Sequence, residues 1–178
     1  MKAVLQAASL LVLAGLVASC GILPDRTPPP PCPKVRMLAD TARLVEFRGP
    51  GRDLTDVSFE AEITNVDAVC AYNTARTEVT MTTKISLVGT RGPATPGAAA
   101  LDIPFYVAIT DTAENIMAKE TFGSKMDFPQ ARRRIGVVEE ISQKIPLGGR
   151  RPAEFEVLVG LQLSPDQLEF NRRARTRR

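Results

Sequence analysis

The sequence predicts an all-β fold: an antiparallel β-sandwich of about seven or eight strands, closed by a short C-terminal helix. Three observations carry this. Apolar and polar residues alternate with period two in four separate stretches. Gly- and Pro-rich breaks separate those stretches. Each alternation gives one dry and one wet face, as antiparallel strands packed on a core require. An immunoglobulin-like or fibronectin-III-like sandwich is the preferred form, and a small barrel is the runner-up.

The elements follow in chain order. A first strand is expected within 41–48, around Leu44 to Phe47, and Gly49-Pro50-Gly51 ends it. Val57, Phe59, Ala61 and Ile63 then share one face, with Ser58, Glu60, Glu62 and Thr64 on the other. Val79, Met81, Ile85 and Leu87 form the apolar face of the next strand. The stretch from Thr90 to Gly97 reads as a long connection. Leu101, Ile103, Phe105, Val107 and Ile109 line one face, and Tyr106 points away from it as an exposed ring. Weaker patterns predict strands at 115–122 and 135–146, with a short piece around Met126 and Phe128. The segment from Pro146 to Pro152 is a further break, before Phe155, Val157, Val159, Leu161 and Leu163. Ser164, Pro165 and Gln167 carry the start signature of a helix, which is expected over 165–174.

The composition of 178 residues suits one globular domain, with 44% hydrophobic and 24% charged residues. Histidine and tryptophan are both absent. Without His there is no Ser-His-Asp triad, no Cys-His dyad and no His-ligated metal. Three cysteines cannot complete a four-cysteine zinc site. There is no Gly-x-Ser-x-Gly, no Ser-x-x-Lys and no phosphate-binding glycine loop. Ser124-Lys125 falls in an expected turn. Asp53 and Asp56 read as turn residues bonding nearby amides, with a weak calcium site as the alternative. Glu139 shares a face with Val137 and Ile141, either as an edge device against wrong pairing or as the partner of a buried Arg. Arg132-Arg133-Arg134 reads as an exposed turn. No catalytic residue, metal site or cofactor is implied, and an enzyme is not expected.

The N-terminus has a different character. Lys2 precedes an apolar stretch from Ala3 to Val17, too short to span a bilayer comfortably. Small residues Ala18 and Ser19 and then Cys20 follow, the pattern of a secretory signal. Val17-Ala18-Ser19-Cys20 resembles the lipobox of bacterial lipoproteins. That resemblance implies removal of residues 1–19 and acylation of Cys20 on its thiol and amine. Gly21 in place of an inner-membrane retention Asp implies the outer membrane, with the domain facing the periplasm. Several acyl chains, at about 0.8 kcal/mol per buried methylene, hold such an anchor stably. The proline run, Gly51–Asp56 and Pro165–Glu169 also resemble lipoproteins found in alphaproteobacterial genomes.

The expected organisation is a cleaved signal at 1–19, an acylated Cys and spacer at 20–33, a sandwich at 34–163, and a helix with an Arg-rich tail at 164–178. Pro28 to Pro31 favour polyproline II, so the eleven residues between Cys20 and Cys32 reach up to roughly 35 Å. The alternative for this run is a ligand for a proline-binding groove. With Cys20 acylated, Cys32 and Cys70 remain to pair, two free thiols being the alternative. That bridge closes about 38 residues and contributes about 4 kcal/mol on chain entropy.

Charge is unevenly placed. Lys+Arg number 23 against 20 Asp+Glu, and five of those cations lie in the last seven residues. These are Arg172, Arg173, Arg175, Arg177 and Arg178. Such a tail attracts anionic surfaces, or else is a solvated helix end. The function class expected is a lipid-anchored structural or protein-interaction module of the cell envelope. Its partners are the membrane and another envelope protein. The alternative is a module that binds peptidoglycan or lipopolysaccharide with help from the tail. Nucleic acid is not expected as a partner.

Overall fold

A computed structural model describes residue 28 and residues 30–176. Eight strands form two four-stranded sheets. They are β1 (Lys34–Met37), β2 (Arg43–Phe47), β3 (Val57–Tyr72), β4 (Glu78–Arg91), β5 (Ala99–Asp111), β6 (Ile116–Phe128), β7 (Arg134–Pro146) and β8 (Phe155–Leu161). A helix, α1 (Pro165–Thr176), follows them. One sheet has the order β1-β8-β5-β6 and the other β2-β3-β4-β7. All pairings are antiparallel except β1 with β8, which is parallel. The expected sandwich of seven or eight strands with a terminal helix is therefore present.

The two inner faces meet in one core. Phe105, Phe128, Phe155, Met81, Met126 and Ile63 are among its fully buried side chains. The Phe59 and Phe128 rings lie 5.8 Å apart, and Phe105 stacks on Phe122 at 5.4 Å. Gly89 lets this packing close: a Cβ there would stand 2.6 Å from Met126 Sδ and 3.0 Å from the Phe128 ring.

Several strands depart from the expected bounds, each for a physical reason. Strand β3 runs eight residues past Thr64, because a register shift between Ile63 and Asn65 changes which residues face inward. Odd positions to Ile63 face the core, and even ones from Val66 pack against it. A bulge flips parity in this way, so a simple alternation ends at the bulge. Strand β6 is continuous from Ile116 to Phe128 and joins the two expected pieces. Ser124-Lys125 thus lies in a strand and not in a turn, contrary to expectation. Strand β1 has four residues, of which Val35 packs on the core, too few for a periodic signal.

Both lateral openings of the sandwich are closed by polar contacts. On one side the edge strands β6 and β7 are linked by Ser124, whose hydroxyl donates to Glu139 Oε1 at 2.7 Å. Ser124 is buried and Glu139 half-buried. Glu139 is an inward-facing charge on the edge strand β7, as one of its two expected roles requires, and its partner is the Ser124 hydroxyl and not a buried Arg. On the other side, a 3-10 turn at Ala39–Thr41 and α1 cover the β1 and β2 edges.

Tyr106 corrects another expectation. It does point away from the main core, yet it is 9% exposed. The chain leaving β1 folds over the outer face of its sheet and brings Leu38 and Thr41 onto the ring. Lys119 Nζ lies 4.4 Å above the ring centroid. Gly160 leaves room for this layer, since a Cβ there would meet Thr41 Oγ1 at 2.1 Å.

Replacing Phe128 by Ala is expected to cost about 3–5 kcal/mol, the range for deleting a buried aromatic ring. Urea unfolding of the two proteins, compared at equal m-value, measures it.

Candidate functional site

The chain enters the sandwich at a clamp. Cys32, just before β1, is bonded to Cys70 near the end of β3, with Cα atoms 5.8 Å apart. Strands β1 and β3 belong to different sheets, so the bridge also ties the two layers together at this end. Tyr72 lies two residues beyond Cys70, and its hydroxyl donates to the Pro31 carbonyl at 2.9 Å. Burial pushes the Tyr72 phenol above its ordinary value, favouring still further the protonated form that donates. The last residue of the proline run, Pro31, is thus held by a covalent bond one residue on and by a hydrogen bond at its own carbonyl. The pairing of Cys32 with Cys70 was expected. The role of Tyr72 was not, although Cys70 and Tyr72 share one face of β3.

The clamp sits at one end of long strands. Strand β3 runs from Val57 to Tyr72, about 50 Å at about 3.3 Å per residue. Its far end pairs with the end of β4, Phe59 against Arg91. The loops at 48–56, 92–98 and 129–133 gather there, opposite the clamp. Cys20, residues 1–19 (read above as a signal), Arg177 and Arg178 lie outside the described residues.

The C-terminal helix begins as its sequence predicts. The Gln167 amide donates to Ser164 Oγ at 3.2 Å, and the Ser164 amide donates to Gln167 Oε1 at 2.9 Å. The helix continues to Thr176, two residues further than expected. Phe170 meets Phe47 edge-on at 5.2 Å. Asn171 is buried, and its amide donates to the carbonyls of Asp40 at 2.9 Å and Arg43 at 2.6 Å. Arg172 Nε lies 3.3 Å from Asp40 Oδ2, and Arg175 pairs with the other oxygen. Arg173 Nε donates to Glu169 at 3.1 Å. Desolvation raises the Asp40 pKa, but the bonds from Arg175 and Arg172 outweigh it and hold the carboxyl below its ordinary value. The three described arginines of the tail are therefore engaged within the chain. Asp40 was not expected to take part; no local pattern links it to residues over 130 positions away.

The remaining candidates are structural in their surroundings. Asp53 and Asp56 cap the 3-10 turn at Leu54–Asp56 reciprocally, with the Asp53 amide 3.1 Å from Asp56 Oδ2. Arg132 and Arg133 fall in the loop before β7, and Arg134 opens that strand. Among the described residues, no three His, Cys, Asp or Glu converge as a metal site would require. No described helix is long and apolar enough to cross a membrane. No family model matches the chain, and neither a curated protein nor a solved structure matches it.

Two outcomes follow from this geometry. Removing the bridge as a Cys32→Ser, Cys70→Ser pair is expected to cost about 2–5 kcal/mol, read by denaturation with and without reductant. The Asp40 contact contributes fully above the ordinary value of 3.8 and is lost as pH falls through its lower folded pKa. Acidification should therefore loosen the helix, and Asp40→Asn should remove that acid-dependent component. The NMR signal of the Asn171 side-chain amide reports it.

Proposed function

We propose that this chain is a lipid-anchored protein of the cell envelope, facing the periplasm, which acts as a structural and protein-interaction module. The anchor is Cys20 of the lipobox-like segment, acylated after removal of residues 1–19. The observation that carries the reading is the clamp at the entry point. A stiff proline run that ends in a disulfide and a tyrosine hydrogen bond transmits orientation as well as distance. A flexible junction would let the domain tumble about its tether. In this mount the clamp end faces the membrane, and the loops at the opposite end face away from it. The outer membrane is the proposed location, from Gly21 directly after the anchor Cys.

The module's partner in this reading is another envelope protein. The tail arginines that pair with Asp40 and Glu169 support a role in seating the helix, in preference to capture of an anionic polymer.

Crosslinking the intact protein in living cells, followed by solubilisation of the envelope, tests the proposal. One dominant protein adduct is expected, and it should vanish in a Cys20→Ala form that stays unlipidated. Recovery with peptidoglycan or lipopolysaccharide and without a protein adduct would contradict the interaction reading.

A further inference from the structure

Strand β7 ends its sheet, with β4 on one side and no strand on the other among the described residues. The Ser124–Glu139 bond joins it to β6 through side chains and leaves its backbone edge without a strand partner. The ladder to β4 shows which groups lie on that edge. The Arg91 amide donates to the Arg133 carbonyl at 2.7 Å, and the Leu147 amide donates to the Thr77 carbonyl at 2.8 Å. These two pairs continue the β4–β7 register at either end. Antiparallel partners alternate between pairs that exchange hydrogen bonds and pairs that do not. Odd-numbered residues of β7 therefore serve β4. The amides and carbonyls of Gly136, Val138, Glu140, Ser142 and Lys144 point away from the sheet.

A strand edge of this kind is a template for one more strand, and this one is 13 residues long. Its inner face is incompletely covered. Ile135, Val137 and Ile141 are half-buried, whereas Met81, Ile85 and Leu87 on neighbouring β4 are fully buried.

The charges on the outer face identify the strand that fits. Glu140 pairs with Lys84 at 3.5 Å and Lys144 with Glu78 at 3.9 Å. Between them the Ser142 hydroxyl meets that of Thr82 at 2.9 Å. Two copies of β7, side by side and related by a twofold axis, oppose residues of the same face. An axis at Glu139 or Glu140 would set a glutamate against its own copy, which is repulsive. An axis at Ile141 would set Val138 against Lys144 and pair no charges. An axis at Ser142 sets Glu140 opposite Lys144 twice. It also extends each existing ion pair into a row of alternating sign, in which Lys84 and Glu140 of one copy meet Lys144 and Glu78 of the other.

We propose that β7 is a self-association edge, through which two copies of this chain pair antiparallel about a twofold axis at Ser142. The two four-stranded sheets then become one continuous sheet. The outward groups of Glu140, Ser142 and Lys144 supply its new backbone hydrogen bonds. The interface uses neither Cys20 nor the Cys32–Cys70 clamp, so it does not rest on the anchoring proposed above.

The test is sedimentation equilibrium of the full chain in a nonionic detergent matched in density to the solvent. A dimer in equilibrium with monomer is expected. Glu140→Lys and Lys144→Glu should each weaken it by about tenfold or more, since each turns both cross-copy pairs into like-charge contacts. An equimolar mixture of the two variants should recover it, because the facing charges are again opposite. Ser142→Pro should abolish it, since proline removes an outward amide and no hydrogen bond to β4. Far-UV circular dichroism checks the fold of each variant, and the charge variants carry the test if the proline variant does not fold. A monomer at all concentrations would overturn the proposal. So would a dimer that survives both charge reversals, or a mixture that associates no more tightly than its components.

Discussion

The bridge between Cys32 and Cys70 is the constraint on which the rest of this structure depends. It joins the end of a proline run to the end of the longest strand, and it joins the β1 layer to the β3 layer. A sandwich of two four-stranded sheets is held mainly by apolar burial between its faces, which is strong but carries no information about direction. The bridge adds that information. It sets which end of the sandwich meets the incoming chain, and the Tyr72 hydrogen bond to Pro31 fixes the end of the proline run at the same point. The parallel pairing of β1 with β8 follows, because β1 must leave the clamp in the direction in which β8 runs.

A second set of contacts closes what the bridge leaves open. An edge strand with free amides and carbonyls invites pairing with another chain. Here β2 is short, and the helix lies against it through Phe170, Asn171 and the Asp40 pairs. The Asn171 amide satisfies two carbonyls at once, which makes it the most specific contact of that docking. The arginine pairs around it are partly exposed and individually modest in worth. On the opposite side Ser124 and Glu139 join β6 to β7 across the layers. Polar side chains thus set how the sheets are bordered, while the phenylalanines and methionines hold them together.

Much of this was legible in the sequence, for definite reasons. Period-two alternation exposed β4, β5 and β8 because their inward residues keep one parity throughout. Ser164 and Gln167 announced the helix start because a capping box is local in sequence. The expectation of export, which leaves Cys32 and Cys70 over, was enough to anticipate their pairing. What escaped notice was non-local or broken in pattern. The bulge at Ile63 to Asn65 hid half of β3, and Glu139 and Gln143 interrupted the inner face of β7. Strand order was hidden as well, since every strand carries the same alternation. Asp40 and Tyr106 owe their surroundings to segments far away in the chain, which no periodicity reveals.

The proposed mount combines an acylated Cys20, a proline spacer, and the clamp formed by Cys32 and Cys70. Mass spectrometry of the protein taken from envelopes, digested without reduction, reads all three cysteines at once. The expected result is a chain that begins at an acylated Cys20, together with a cross-linked peptide pair containing Cys32 and Cys70. An unmodified Cys20 within a longer peptide, or Cys20 disulfide-bonded to either of the others, would contradict it.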